Sequence, residues 1–169
     1  MKTRILALLT VVVAVSGCSL LDFFQDTAQA DNIRIESDTR DGVIFTAENA
    51  AAVGLGYEFN EPIIDYWTPT EADVAVLEAG LASFLESEIP EDHYSRRILE
   101  RLDLYKRQYF GITFEAGQPL LYANFFCVDD FDYWLESYVM VMDGGECFFQ
   151  VLYDPATGAF SNLRVNGFA

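Results

Sequence analysis

Residues 68–87 read TPTEADVAVLEAGLASFLES, and this stretch decides the fold. Thr68 offers an N-cap hydroxyl, Pro69 suits the first helical position, and Glu71 stands three residues after the cap. Val74, Leu77, Leu81, Phe84 and Leu85 then recur at helical spacing, with Glu78 and Glu86 on the opposite face. The pattern predicts an amphipathic helix to about Ser87, stopped ahead of Pro90. Its apolar stripe needs a surface to lie on. Ile98, Leu99 and Leu102 predict a second, shorter helix.

From Tyr105 onward the periodicity changes to that of strands. Tyr105–Phe114, Leu120–Val128, Tyr138–Met142, Phe148–Tyr153 and Phe160–Val165 are apolar runs. The turn signals between them are Glu115-Ala116-Gly117-Gln118, Asp143-Gly144-Gly145 and Asp154-Pro155-Ala156-Thr157-Gly158. Strands joined so tightly are antiparallel. Upstream, Ile33 to Ala47 reads as a short hairpin turning at Asp41-Gly42. Residues 48–66, broken by Gly54 and Gly56, carry no clear period. One main helix packed on an antiparallel sheet of about four to five strands is an α+β fold. The order of elements resembles the cystatin-like and NTF2-like folds. That resemblance is topological, rests on no residue motif, and implies no function.

The N-terminus speaks about location. Lys2 and Arg4 precede an apolar run from Ile5 to Val15, too short to span a bilayer, which takes about 20 residues. Val15-Ser16-Gly17-Cys18 follows, and it resembles the lipobox of bacterial lipoproteins. The resemblance covers residues 1–18 and implies cleavage after Gly17. It also implies a diacylglycerol thioether and an N-terminal acyl chain on Cys18. Ser19, where an aspartate would retain the protein, implies the outer membrane, facing the periplasm. A rival site, Ala28-Gln29-Ala30, would free a soluble chain starting at Asp31, but it lies well beyond the apolar run. The resulting division is a signal peptide at 1–17, a tether at 18–32 and one α+β domain at 33–169.

An exported chain should oxidise its two remaining cysteines, Cys127 and Cys147. In a plain meander these residues sit at opposite ends of the sheet, too far apart to bridge. Either the bridge is absent, or the strand of Cys127 pairs directly with that of Cys147 and residues 129–146 form an excursion.

Loss of Lys2 and Arg4 with the leader takes the net charge from −17 to −19. Such a surface repels nucleic acid and anionic headgroups and attracts cationic partners. Five of the remaining basic residues, Arg96, Arg97, Arg101, Lys106 and Arg107, cluster in sequence. They are expected to pair with neighbours such as Glu91, Asp92, Glu100 and Asp103, the other reading being an anion or headgroup contact.

Chemistry is sparsely signalled. His93, the only histidine, reads as a surface residue. There is no G-x-S-x-G, P-loop or dinucleotide fingerprint, so no cofactor is implied. Asp129, Asp130 and Asp132, with Asp143 near the next turn, miss the calcium-loop spacing and read as loop residues rather than a metal site. Trp67, Tyr57, Tyr66, Tyr109, Tyr122, Phe125 and Phe126 are expected in the core. Tyr133 and Trp134, beside Asp129, Asp130 and Asp132, are the candidate exposed binding rim. The leading expectation is a non-catalytic envelope lipoprotein, held to the membrane by lipid and contacting a protein partner. The alternatives are an acidic inhibitor of a cationic protein and a two-carboxylate hydrolase.

Overall fold

The computed structural model describes residues 31–37 and 39–168. The leader, Cys18 and residues 19–30 of the tether lie outside them.

The chain opens with a hairpin of β1 (Ile33–Ser37) and β2 (Arg40–Ile44). It reverses between Ser37 and Arg40, not at Asp41-Gly42, which sit inside β2 opposite Glu36 and Ile35. Asp41 is drawn into the strand by Arg34, 3.2 Å away. Gly42 is needed there for close approach, because a Cβ would lie 3.0 Å from the Tyr109 ring. Residues 48–66, unassigned by periodicity, hold most of α1 (Ala47–Ala52), a 3₁₀ turn at Leu55–Glu58 and most of β3 (Ile63–Trp67). Thr46 caps α1 by accepting from the Asn49 N–H.

The long helix α2 spans Glu71–Glu88. Its cap is Thr70 rather than Thr68. The Thr70 hydroxyl accepts from the Asp73 N–H, and the Asp73 carboxylate accepts from the Thr70 N–H at 2.9 Å. Two overlapping capping boxes are written in the sequence, and the second is used. Val74, Leu77, Leu81 and Leu85 are buried as the spacing requires, and Phe84 stacks on Phe160 at 4.8 Å. The second helical region is short: α3 (Arg97–Glu100) with single 3₁₀ turns before and after it.

Four longer strands follow: β4 (Lys106–Phe114), β5 (Pro119–Phe126), β6 (Phe148–Asp154) and β7 (Ala159–Val165). The described residues form an α+β arrangement around a seven-stranded, mostly antiparallel sheet. Its order is β1-β2-β4-β5-β6-β7, with β3 also paired to β4. The expected four to five strands are exceeded because the first third of the chain joins the sheet. One edge of β4 is shared. β2 runs parallel to its first half, Ile44 opposite Tyr109, and β3 antiparallel to its second half, Trp67 opposite Gly111. Gly111 permits this crowding, since a Cβ there would lie 2.2 Å from the Trp67 carbonyl oxygen.

Both faces of the sheet are covered. On one, α2 and α3 pack over Tyr109, Leu121, Ala123, Phe125, Phe149 and Val151. On the other, Phe110, Ile112, Tyr122, Phe126, Phe148 and Leu152 lie beneath α1, the following 3₁₀ turn and residues from the segment between β5 and β6. That segment is the excursion. Phe126 pairs directly with Phe148, the Cys127 N–H donates to the Cys147 carbonyl at 3.0 Å, and the two cysteines are bridged with Cα atoms 5.0 Å apart. Tyr138–Met142 is therefore not a strand, and Asp143-Gly144-Gly145 joins no hairpin. The excursion lies across the face instead of extending it.

A bridge closing this loop stabilises by about 3 kcal/mol, largely through the unfolded chain. Cys127→Ala with Cys147→Ala should lower the urea midpoint accordingly while leaving the far-ultraviolet circular dichroism of the folded state unchanged.

Candidate functional site

Three neighbouring strands each carry one buried amide on the excursion face. Gln108, Asn124 and Gln150 stand in register across β4, β5 and β6. Left alone, these groups would be buried without partners, at a cost of about 1–3 kcal/mol each. The excursion supplies the partners. Gln108 Nε2 donates to the carbonyls of Trp134 at 2.6 Å and Ser137 at 2.8 Å, and Gln108 Oε1 accepts from the Val139 N–H at 2.9 Å. Asn124 Nδ2 donates to Gln108 Oε1 and to the Val139 carbonyl, and Gln150 Nε2 donates to Asn124 Oδ1. Arg164 continues the row on β7, opposite Gln150. It donates to the Glu58 carbonyl at 2.9 Å and forms an ion pair with the Glu58 carboxylate.

Two segments thus roof this face, residues 46–62 and residues 128–146, and the concavities lie along the seam between them. At one end is an open groove of about 420 Å³ lined by Asp31, Asn32, Arg34, Asn49, Leu135 and Glu136. Asn32 ties it together: its Oδ1 accepts from the Thr46 N–H and from Asn49 Nδ2, and its Nδ2 donates to the Leu135 carbonyl. Asn32 was expected in the tether, yet it is part of the folded body. At the other end is a recess of about 240 Å³ with Gln150, Glu58, Arg164 and Tyr138 in its walls and Met140 and Met142 beside them. A shallower one of about 290 Å³ lies beyond the Glu58–Arg164 pair. The Tyr138 hydroxyl bonds that of Tyr122 at 2.8 Å and also engages Glu58. Burial raises both phenols above their usual range, and the Glu58 charge pushes the same way. The site offers fixed hydrogen-bonding groups and one neutralised ion pair, which suits holding a ligand.

The expected rim is only partly presented. Asp130, Asp132 and Tyr133 face outward. Asp129 pairs with Lys106 at 2.8 Å, and that hydrogen bond and charge hold its carboxyl below the usual range. Trp134 is not exposed: at 6% accessibility it lies against Phe126 with the Lys106 ammonium over its ring. It is the apolar plug that seats the excursion. Tyr57, expected in the core, is 93% exposed. His93 Nδ1 accepts from the Ser95 N–H and its ring lies against Tyr94. Among the described residues, no group of three or more His, Cys, Asp or Glu converges as a metal ion requires.

The basic cluster is fully paired, but not with its sequence neighbours. Arg96 meets Glu86, Arg97 and Arg101 meet Glu146, Lys106 meets Asp129, and Arg107 meets Glu78. Glu91, Asp92, Glu100 and Asp103 are not the partners, because the short turns and the start of β4 aim these side chains at α2 and the excursion. Arg107 is buried under α2 and donates to the carbonyls of Tyr105 and Leu102 at 2.6 Å. Glu78 beside it accepts from the Tyr109 hydroxyl at 2.6 Å. Glu58 and Glu78 stand on opposite faces of the sheet. The amide row is the feature that sequence reasoning missed. Its signal was one amide set in each of three apolar runs.

No family model, no curated protein and no solved structure matches the chain.

Gln108→Leu removes both donors and the acceptor that hold the excursion. It should cost about 2–3 kcal/mol, the scale of orphaned buried amide partners. The same change should accelerate exchange of the Val139 amide more than that of amides in α2.

The tyrosines set an alkaline limit. Burial pushes Tyr105 up to about 12, and Tyr109, Tyr122 and Tyr138 also lie above the ordinary phenol. In the unfolded chain these groups lose protons near about pH 10, so above that the unfolded state binds fewer protons and stability falls as pH rises. The urea midpoint should therefore drop between about pH 9 and 11. At the upper value, tyrosinate absorbance should account for fewer than the nine tyrosines until denaturant is added.

Proposed function

We propose that this chain is an envelope lipoprotein whose folded body acts by binding rather than by catalysis. The observation that carries the reading is Val15-Ser16-Gly17-Cys18 at the end of a charged start and an apolar run of eleven residues. Two features support it, and the anchor it assigns is the acyl-bearing Cys18. The Cys127–Cys147 bridge suits an oxidising compartment. The folded body is engaged from Asn32, which leaves a short tether with a reach of about 45 Å when extended. More than one acyl chain at Cys18 gives stable attachment. Ser19, where an aspartate would retain the protein, supports the outer membrane, facing the periplasm, as its location.

A second reading is favoured by one observation. Among the described residues all eight basic side chains are in ion pairs, while most carboxylates are not. The outward field is therefore unopposed and suits a cationic protein partner, whose binding would weaken with salt.

Cys18→Ser should move the protein from the membrane to the soluble fraction. The mature natural protein should have the mass of residues 18–169 plus acyl groups. A mass matching an unmodified chain from Asp31, or membrane partitioning unchanged by the substitution, would remove the proposal.

A further inference from the structure

Met140 and Met142 are, apart from Met1, the only methionines in the chain. The core is built from Phe, Tyr, Leu, Ile and Val and contains neither of them. Methionine normally earns its place as an adaptable filler of buried gaps. Here both side chains are on the surface, 55% and 88% exposed, and both border the 240 Å³ recess at the end of the seam.

The backbone that carries them is held by other groups. Asn166 Nδ2 donates to the carbonyls of Val141 at 2.6 Å and Asp143 at 3.0 Å, on either side of Met142. On the other side, the Val139 N–H is fixed by Gln108 and the Tyr138 hydroxyl by Tyr122. The thioethers are thus presented from an anchored segment without being used in packing.

We propose that Met140 and Met142 form a two-thioether site for a soft monovalent ion, Cu(I) or its surrogate Ag(I). Thioether sulfur is neutral, polarisable and untitrated, and it selects Cu(I) over hard cations and over ions that prefer imidazole or carboxylate. The surroundings reinforce this choice, since among the described residues no cluster of His, Cys, Asp or Glu competes for a harder metal. Electrostatics favour a cation. Arg164, the nearby positive charge in the recess wall, is neutralised by Glu58, and the chain as a whole is strongly acidic. Val141 between them packs inward and both side chains border the same recess, which lets two flexible thioethers meet one ion. The site is independent of the lipid anchor.

The test is an anaerobic titration of the full processed protein with Cu(I) against a chromophoric Cu(I) chelator. A parallel Ag(I) titration is followed through the methyl resonances of carbon-13-labelled methionine. One ion per chain should bind, and both methyl signals should move. Met140→Leu or Met142→Leu should each weaken binding by at least about tenfold, the scale found even for groups one layer removed from a metal. Zn(II) and Ca(II) should leave both signals in place. Cys18→Ser should bind as the natural chain does, which separates failure here from failure of the anchor reading. Both methionines are exposed, so the leucine variants should keep the natural circular dichroism. Unmoved methyl signals, or undiminished affinity in the double leucine variant, would overturn the proposal.

Discussion

The fold turns on three amides that cannot be left alone. Gln108, Asn124 and Gln150 occupy the middle of a sheet face, among Phe110, Tyr122, Phe126, Phe148 and Leu152. The face has to be covered to bury its phenylalanines, yet a purely apolar cover would strand the amides. The chain meets both demands with one irregular segment, whose backbone carbonyls and N–H groups satisfy the row while Trp134 and Val139 fill the apolar space beside it. A regular helix could not do this, because its backbone groups are already committed to one another. The irregularity of the excursion therefore follows from the polarity of the surface under it.

The same logic accounts for the seam. The two roofing segments meet over the row, joined through Asn32 to Thr46, Asn49 and Leu135 at one end and facing each other across a recess with Glu58 and Tyr138 at the other. Two loop segments seldom match along their whole length, and the mismatch leaves concavities at both ends. The opposite face shows the contrast. There a single helix with a continuous stripe of Val74, Leu77, Leu81 and Leu85 closes over the strands, and its own Glu78, placed by spacing on the outer face, turns inward to pair with Arg107 beneath.

What could be read from sequence followed the range of the interactions. The long helix and strands β4 to β7 were legible because their signals are local: helical spacing, apolar runs and glycine-bearing turns. The cysteine pair was legible as two alternatives, and the direct pairing of Phe126 with Phe148 selects between them. The hairpin turn was misplaced because Asp41-Gly42 has turn chemistry, while its glycine is there to admit the Tyr109 ring. Tyr138–Met142 has the composition of a strand, but β5 and β6 pair directly with each other and leave it no place between them. Trp134 next to aspartates looked like a surface residue, since nothing local announces that Gln108, far away in sequence, will draw its carbonyl inward. The partners of the arginines were hidden for the same reason.

The shared edge of β4 has a consequence for the order in which the molecule can assemble. β2 finds its neighbour only when Asp41 meets Lys106, across more than sixty residues, and β3 docks end to end with it on that same strand. Until β4 exists, the opening ribbon has nothing to rest on, and two-stranded ribbons are barely stable alone. The opening strands must thus wait for β4 before they can join the sheet. Such non-local closure makes for slow, late-committing folding, in which the amino-terminal end stays available to other machinery while the remainder compacts.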